Sequence, residues 1–260
     1  EFDLVIDCTG KTGPLVPLPV VEDLSPFQTP QRKCIVGYFV GVRPNPPLGI
    51  SVTILPGQGE MFEIPALTEQ GPVTILFIEA VPNGALDVFN RVKTAEEFTH
   101  RMKSTVQAFF PEIHQRIDEE NFALCDENGF LQIALTPVIR KPYAIVKNKL
   151  VIACGDSAFL NDPITGQGCN LSSYCAEQLY ETLIESKDTA WDRRTGEIYW
   201  ERTKPFVKEV TEWTNAMTLP LPEHVIQFLF QGSKEQAIAD EIAEWFADPS
   251  SAYRTFFSQR

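Results

Sequence analysis

The chain has 260 residues, of which 43% are hydrophobic and 22% are charged, as expected for a globular protein with one large domain or two small ones. Its formal net charge of −13 argues against binding to nucleic acid or to an anionic membrane, since both need clustered basic residues. No apolar run approaches the roughly 18 residues of a membrane span. We also find no signal-peptide pattern, and expect a cytoplasmic protein.

The six cysteines form no C-x-x-C pair, and no histidine lies at zinc-ligand spacing. We therefore predict no metal site and interpret the cysteines as buried, reduced thiols. They are Cys8, Cys34, Cys125, Cys154, Cys169 and Cys175.

The chain opens with an apolar run over residues 2–8, which Thr9-Gly10 ends. This pattern predicts a buried strand in a parallel sheet. A strand so near the start has little preceding chain to pair with, so we expect part of its domain to be missing. A proline-rich connection follows over residues 11–32.

Strand patterns then recur over residues 34–42, 50–55, 61–65, 73–79 and 131–138. Gly57-Gln58-Gly59 is interpreted as a hairpin turn and not as a phosphate loop, because no helix follows it. Thr94 and Glu97 have capping-box spacing and predict a helix that Pro111 ends. We expect an antiparallel sheet, and we expect the apolar face of this helix to pack in the core.

Helical spacing begins at Gly168 and dominates residues 188–260. Ser233 and Gln236 are interpreted as a second capping box. Four tryptophans lie among charged residues in this region, and we predict that they anchor helix packing, with partner contact as the alternative. They are Trp191, Trp200, Trp213 and Trp245.

Residues 150–171 carry the most informative pattern. A buried strand runs into Gly155-Asp156, and a loop with Asp162-Pro163 leads to Gly166-Gln167-Gly168, which opens a helix. The Asp156 carboxylate can accept hydrogen bonds from hydroxyl groups, and the glycines let a flat group approach the backbone. The free N–H groups of the helix start suit an electron-rich carbonyl or an anion. The alternative is a structural strand–turn–helix.

The pattern Gly155-Asp156-x-Ala158, Asp162-Pro163-x-x-Gly166-Gln167-Gly168-x-Asn170 resembles the second FAD signature of the aromatic hydroxylase superfamily of flavoprotein monooxygenases. Phe159 stands where most of these enzymes have a histidine. Asn161-Asp162-Pro163 stands where they have an apolar residue leading into the proline. Together with the segment 136–142, these departures are more similar to the styrene and indole monooxygenase branch. The resemblance covers about residues 1–185.

The resemblance implies a set of flavin contacts. Asp156 would bind a ribityl hydroxyl, Gly10 would approach the FAD diphosphate, and the loop before the helix would line the isoalloxazine. The substrate would lie between this loop and the sheet, with Phe62 and Phe77 as candidates for its apolar wall. No catalytic side chain is assigned. The implied cofactor-binding residues are Gly10, Gly155, Asp156, Pro163, Gly166, Gln167, Gly168, Cys169 and Asn170.

The resemblance also implies the activity. A separate flavin reductase would supply reduced FAD, which forms a C4a-hydroperoxide and transfers one oxygen atom to an alkene or aromatic substrate such as styrene or indole. Sulfide oxygenation is an alternative substrate use. The competing functions are a non-catalytic flavin- or ligand-binding module, and a halogenase or another hydroxylase of the superfamily. A hydrolase has little support, because no G-x-S-x-G is present.

The resemblance and the element pattern together predict an α/β (α+β) fold. Residues 1–10 and 143–187 would be the remnant of a Rossmann-like FAD-binding domain, residues 11–142 an antiparallel substrate sheet, and residues 188–260 a helical region. The family's N-terminal G-x-G-x-x-G is absent. We therefore expect a fragment that binds FAD weakly and is inactive alone, with a homodimer left open.

Overall fold

The computed structural model describes residues 2–257. Glu1, in the predicted remnant 1–10, and residues 258–260, in the predicted helical region 188–260, lie outside the described residues. Two compact units are present. The mixed unit comprises the chain up to Thr29 and from Thr136 onward, and the sheet unit comprises Pro30–Leu135. The predicted sheet domain, 11–142, extends past the sheet unit at both ends. The predicted mixed α/β fold is confirmed.

The elements follow in chain order. The strands are β1 (Leu4–Asp7), β2 (Lys33–Val40), β3 (Ser51–Leu55), β4 (Gly59–Thr68), β5 (Gly71–Ala80), β6 (Ala123–Leu124), β7 (Phe130–Ala134), β8 (Val138–Ile139), β9 (Tyr143–Val146), β10 (Lys149–Ala153) and β11 (Phe159–Leu160). The helices are α1 (Ala95–Phe109), α2 (Pro111–His114), α3 (Gly168–Glu185), α4 (Arg193–Met217), α5 (Glu223–Gly232), α6 (Gln236–Glu244) and α7 (Pro249–Phe257).

The mixed unit is built on a three-stranded sheet in the order β1-β10-β9. Strands β1 and β10 are parallel, as the apolar run at the start predicts. The prediction that this strand is buried is wrong, because Val5 and Ile6 are 36% and 46% exposed. Strand β1 lies at the edge of the sheet, so its side chains are covered less than those of the central strand β10.

Helix α4 contributes to two apolar cores of the mixed unit. Tyr199 and Trp200 pack in the core that contains β10 and α3. Trp213, in the second half of the helix, packs with α5, Trp245 and α7. Pro205 lies within the part that packs in the first core, since Val207 and Val210 after it still belong to that core. The tryptophans are therefore packing anchors, as predicted.

The chain from residue 2 to residue 257 contains no helix long and apolar enough to cross a membrane.

The sheet unit contains an antiparallel sheet in the order β3-β4-β5-β2, and both β6 and β7 pair with β2. Helix α1 packs against one face of this sheet through Phe98 and Met102. Met61 and Ile78 face this helix-side core. Because side chains alternate along a strand, their neighbours Phe62 and Phe77 lie on the opposite face.

Two sequence predictions are corrected. The strand predicted over Leu131–Val138 is two strands, because Pro137 lacks the N–H that would continue the ladder. The capping box predicted at Ser233 is wrong, since Ser233 is the residue that ends α5 and its hydroxyl donates to the Phe230 carbonyl. Glu235 is the N-cap of α6.

The capping box at the start of α1 is confirmed. Thr94 Oγ1 accepts from Glu97 N at 3.2 Å, and the Glu97 carboxylate accepts from Thr94 N at 3.4 Å. We expect Thr94→Ala to lower the free energy of unfolding by about 1 kcal/mol, measured by urea titration. Thr99→Ala is the control, because its hydroxyl donates to Ala95 O within the helix and alanine is a good helix former. Equal losses for both variants would contradict a capping role.

Candidate functional site

The candidate site forms where the parallel strands β1 and β10 end. Cys154 N donates to Asp7 O at 2.9 Å, so the two strands are joined up to the point where both turn away. The turn after β1 passes through Gly10 and the turn after β10 through Gly155, with φ of 74° and 67°, a backbone region that glycine adopts without strain. Ligands of open α/β sheets bind beyond the carboxyl ends of such strands.

A buried carboxylate, which sequence reasoning missed, organises the first turn. Asp7 is 1% exposed and accepts hydrogen bonds from Thr9 N at 3.0 Å, from Thr9 Oγ1 at 2.7 Å and from Leu15 N. Burial opposes ionisation, but these hydrogen bonds outweigh it and hold the pKa of Asp7 below its ordinary value. The sequence signal is an acidic residue at a strand end, two positions before the threonine of a Thr-Gly turn.

The second turn presents Asp156, which is half-buried. Burial raises the pKa of its carboxyl group above the ordinary value, and the positive charge of Lys11 in the first turn acts in the opposite direction. Ser157 lies beneath it, fully buried, with its hydroxyl 2.9 Å from both Asp7 O and Cys154 O. The two turns are thus brought together, as the predicted site requires.

The loop that follows leads into α3. Asp162 accepts from Ile164 N at 3.1 Å and so fixes the short turn Pro163–Thr165, which Gly166 ends at φ 64°. Within the described chain, the N-cap residue Gln167 makes no side-chain capping bond to the first turn of α3. The predicted residues Gly166, Gly168, Cys169 and Asn170 are exposed at this helix start.

The side chain of Gln167, one of the predicted cofactor-binding residues, points inward. It is 2% exposed and donates to Phe246 O at 3.0 Å, and its Oε1 accepts from Asn170 at 3.3 Å. Thr165 and Thr214 hydroxyls are 2.7 Å apart. The loop is therefore anchored to α4 and to the chain between α6 and α7.

The residues present fit a flat, electron-rich group. A Cβ built on Gly166 or on Gly168 would meet no described atom within 4 Å, so the backbone there has open space in front of it. Uncapped N–H groups and the positive end of the α3 dipole favour carbonyl oxygens or negative charge. Gly155 has a different role, because its Cβ would lie 3.0 Å from Ser172 Oγ and the turn packs closely on α3.

Phe62 and Phe77 belong to the sheet unit, where they face each other in the β4–β5 register. Their rings stack with centroids 5.3 Å apart. The pair forms an aromatic stack on the face opposite α1, in which Phe62 is 9% exposed and Phe77 is half-buried. Among the cysteines, Cys34, Cys154 and Cys175 are buried as expected, and Cys125 is half-buried. The prediction is wrong for Cys8, which is exposed in the turn after β1, and for Cys169, which is exposed in the first turn of α3.

We expect Asp7→Asn to destabilise the protein by about 2 to 3 kcal/mol at pH 7, because a charged acceptor of buried hydrogen bonds is lost. The depressed pKa of Asp7 means that its stabilisation is complete above the unfolded pKa, near 4, and disappears as pH falls through the lower folded value. Urea unfolding at pH 7 and at pH 3 measures both effects.

Asp3→Asn is the matched control for this variant. Asp3 is exposed and forms a 3.3 Å ion pair with the half-exposed Lys149, so a change below about 1 kcal/mol is expected. A loss for Asp7→Asn that stayed constant between the two pH values would contradict the role of the charge.

The fold is shared with solved flavin-dependent enzymes. Flavin-dependent brominase Bmp2 aligns with a TM-score of 0.63 over 98% of this chain and 58% of its own, at 13% identity. PqsL of P. aeruginosa, solved in complex with 2-aminobenzoylacetate, aligns with a TM-score of 0.59 over 98% and 58% of the two chains, at 16% identity. The fold is therefore that of the flavin-dependent monooxygenases and halogenases.

Sequence relatives narrow this class. Residues 10–116 match the family model of the styrene monooxygenase A substrate-binding domain. Styrene monooxygenases StyA of Pseudomonas fluorescens and of a further Pseudomonas are 30% and 31% identical over 266 residues, which cover 99% of this chain and 64% of each relative. The chain is thus similar over nearly its whole length to styrene monooxygenases, and the predicted resemblance to this branch of the flavoprotein monooxygenases is confirmed.

Proposed function

We propose that this chain takes part in an FAD-dependent monooxygenase reaction that transfers one oxygen atom to a small apolar alkene or aromatic substrate. The observation that carries the proposal is the open, uncapped start of α3 behind Gly166 and Gly168, in the unit where Asp156 follows the parallel strand β10. The chain spans only 64% of its curated relatives, so the activity of the whole protein is part of the proposal.

The described residues would bind and orient the flavin. Asp156 would accept a hydrogen bond from a ribityl hydroxyl, and Gly10 would approach the diphosphate. The first-turn N–H groups of α3 would face the electron-rich pyrimidine end of the ring, with Pro163 and the backbone of residues 166–170 along its edge. When bound and reduced, the flavin supplies the activation of molecular oxygen.

The substrate would be held by apolar contact. Phe62 and Phe77 offer a stacked pair of rings on one sheet face, a surface suited to a flat hydrocarbon such as styrene or to indole. Reduced flavin would come from a separate reductase, which the family resemblance supports. The six free thiols favour a reducing compartment, and we place the reaction in the cytoplasm.

The first experiment is an anaerobic titration of the chain with oxidised FAD and then with reduced FAD, followed by tryptophan fluorescence. Oxygen is then admitted with styrene, indole, methyl phenyl sulfide or bromide, and the products are identified. An epoxide or another oxygenated product that requires reduced FAD supports the proposal.

Each alternative function has its own outcome in this experiment. Brominated product without oxygenated product would favour a halogenase. The fold shared with brominase Bmp2 is the observation that favours this alternative. Flavin binding without any product is the result expected both of a fragment that is inactive alone and of the non-catalytic module, whereas an oxygenated product excludes that module. Unchanged fluorescence with both forms of FAD would count against a cofactor site made by these loops alone.

A further inference from the structure

Two cysteines face each other where β1 and β10 end. The parallel register pairs Asp7 with Ala153, and the next backbone hydrogen bond runs from Cys154 N to Asp7 O. Cys8 and Cys154 are therefore the next facing positions of the two strands. Neighbouring strands lie about 4.8 Å apart, and facing residues project to the same side of a sheet. A disulfide needs Cα atoms about 4.4 to 6.8 Å apart, so this placement meets the requirement.

The two thiols differ in their surroundings. Cys8 is exposed and can meet a reagent from solvent. Cys154 is 8% exposed and belongs to the apolar core with Cys175 and Tyr199. Burial raises the pKa of the Cys154 thiol, so it stays protonated and is shielded from direct attack. An exposed thiol beside a shielded one is the arrangement of a reacting cysteine and its resolving partner.

We propose that Cys8 and Cys154 form a peroxide-sensitive dithiol and that Cys8 is a site of oxidative modification. Hydrogen peroxide is the oxidant. The Cys8 sulfur attacks one peroxide oxygen, the O–O bond breaks, and Cys8 sulfenic acid and one water form. Cys154 sulfur then displaces the hydroxyl from Cys8 sulfur, and its proton leaves with that hydroxyl as a second water. Two thiols lose two electrons, and one peroxide is reduced to two waters.

The bond would lie at the candidate site. Cys8 is two residues before Gly10, and Cys154 directly precedes Gly155. A disulfide would fasten together the two turns that leave β1 and β10. The modification depends only on these strands and thiols, so it is independent of whether the chain binds flavin.

The test treats the folded protein with a small excess of hydrogen peroxide, blocks free thiols by alkylation, and maps linked peptides by mass spectrometry. Digestion with trypsin and Asp-N separates Cys154 from Cys169 and Cys175, because Asp156 and Asp162 lie between them. We expect one link, between the peptides of Cys8 and Cys154, reversed by dithiothreitol. The intact mass should fall by two hydrogens.

Three variants complete the test. Cys169→Ser is the matched control, since Cys169 is also exposed, and it should still form the link. Cys8→Ser should form none, and Cys154→Ser should accumulate a sulfenic acid on Cys8 that dimedone traps. Cys8 is exposed, so its substitution leaves the core intact.

Either of two peptide-mapping results would overturn the proposal. One is oxidation of Cys8 to sulfinic or sulfonic acid in the wild type without the link. The other is a link from Cys8 to Cys169 or Cys175. The linked protein should also unfold about 5 °C or more above the reduced one, because the bond closes a long loop. A lower unfolding temperature would contradict a native register that accommodates the bond.

Discussion

A Gly59→Ala variant is expected to lose at least about 4 kcal/mol of stability, enough to unfold much of the sheet unit. Gly59 follows the three-residue turn between β3 and β4 and has φ 128°, where an L side chain is strained. A Cβ at this position would lie 2.0 Å from Glu79 O, a backbone atom of β5 that cannot move aside. Circular dichroism with urea unfolding measures the loss.

Gly57→Ala in the same turn is the matched control. Gly57 has φ 73°, but its Cβ would meet no described atom within 4 Å. Only the backbone strain remains in this variant, at about 1 to 2 kcal/mol. If both variants lost the same amount, the close approach of Gly59 to β5 would not be the cause.

Asp156→Ala is expected to have two opposite effects, a loss of FAD affinity of roughly tenfold or more and a gain in stability at pH 7. The affinity effect rests on the proposed function, because a charged hydrogen-bond acceptor would be removed from the cofactor. The stability effect follows from burial, which raises the pKa of Asp156 above its ordinary value while Lys11 opposes the shift.

The sign of the stability effect can be followed with pH. A raised folded pKa means that the ionised carboxylate costs folding free energy above its unfolded pKa, near 4. Below that value both states are protonated and the gain of the variant disappears. Thermal unfolding at pH 7 and pH 3 measures the gain, and fluorescence titration measures FAD affinity. Asp188→Ala, which removes an exposed carboxylate of the same unit, should change neither.

Unchanged FAD affinity in Asp156→Ala would remove Asp156 from the site, whatever the stability result. A loss of stability at pH 7 would instead show that the carboxylate is stabilised in the folded protein. The two measurements therefore separate the role of Asp156 in cofactor binding from the folding free energy that its ionised carboxylate costs.

The elements predicted well from the sequence are those that local chemistry decides. The Thr94 capping box depends on residues three apart. The turn at Gly57-Gln58-Gly59 is also local, and the structure has it as the β3–β4 hairpin. The order of strand, Gly155-Asp156 turn and α3 could likewise be predicted. In each case the residues that decide the local structure lie close together in the sequence.

What the sequence could not provide depends on distant partners. Asp7 accepts a hydrogen bond from Leu15 N because the chain returns to the end of β1 eight residues later. The inward Gln167 side chain meets Phe246, 79 residues later. The exposure of Val5 and Ile6 follows from the edge position of β1, which only the strand order reveals. The cofactor and substrate roles of the candidate residues stay predictions.

The shared helix α4 has a consequence for local unfolding. Pro205 has no N–H, so the hydrogen-bond ladder of α4 lacks a bond within the stretch from Tyr199 to Val210 that packs in the β10 core, whereas Trp213, beyond this stretch, packs in the core of the C-terminal helices. Amide exchange is therefore expected in two blocks, each with its own opening free energy. The bond from Gln167 to Phe246 joins the loop before α3 to the chain between α6 and α7. Motions of the C-terminal helices would thus reach the loop before α3 through the buried Gln167 amide, beside the Thr165–Thr214 hydroxyl contact to α4.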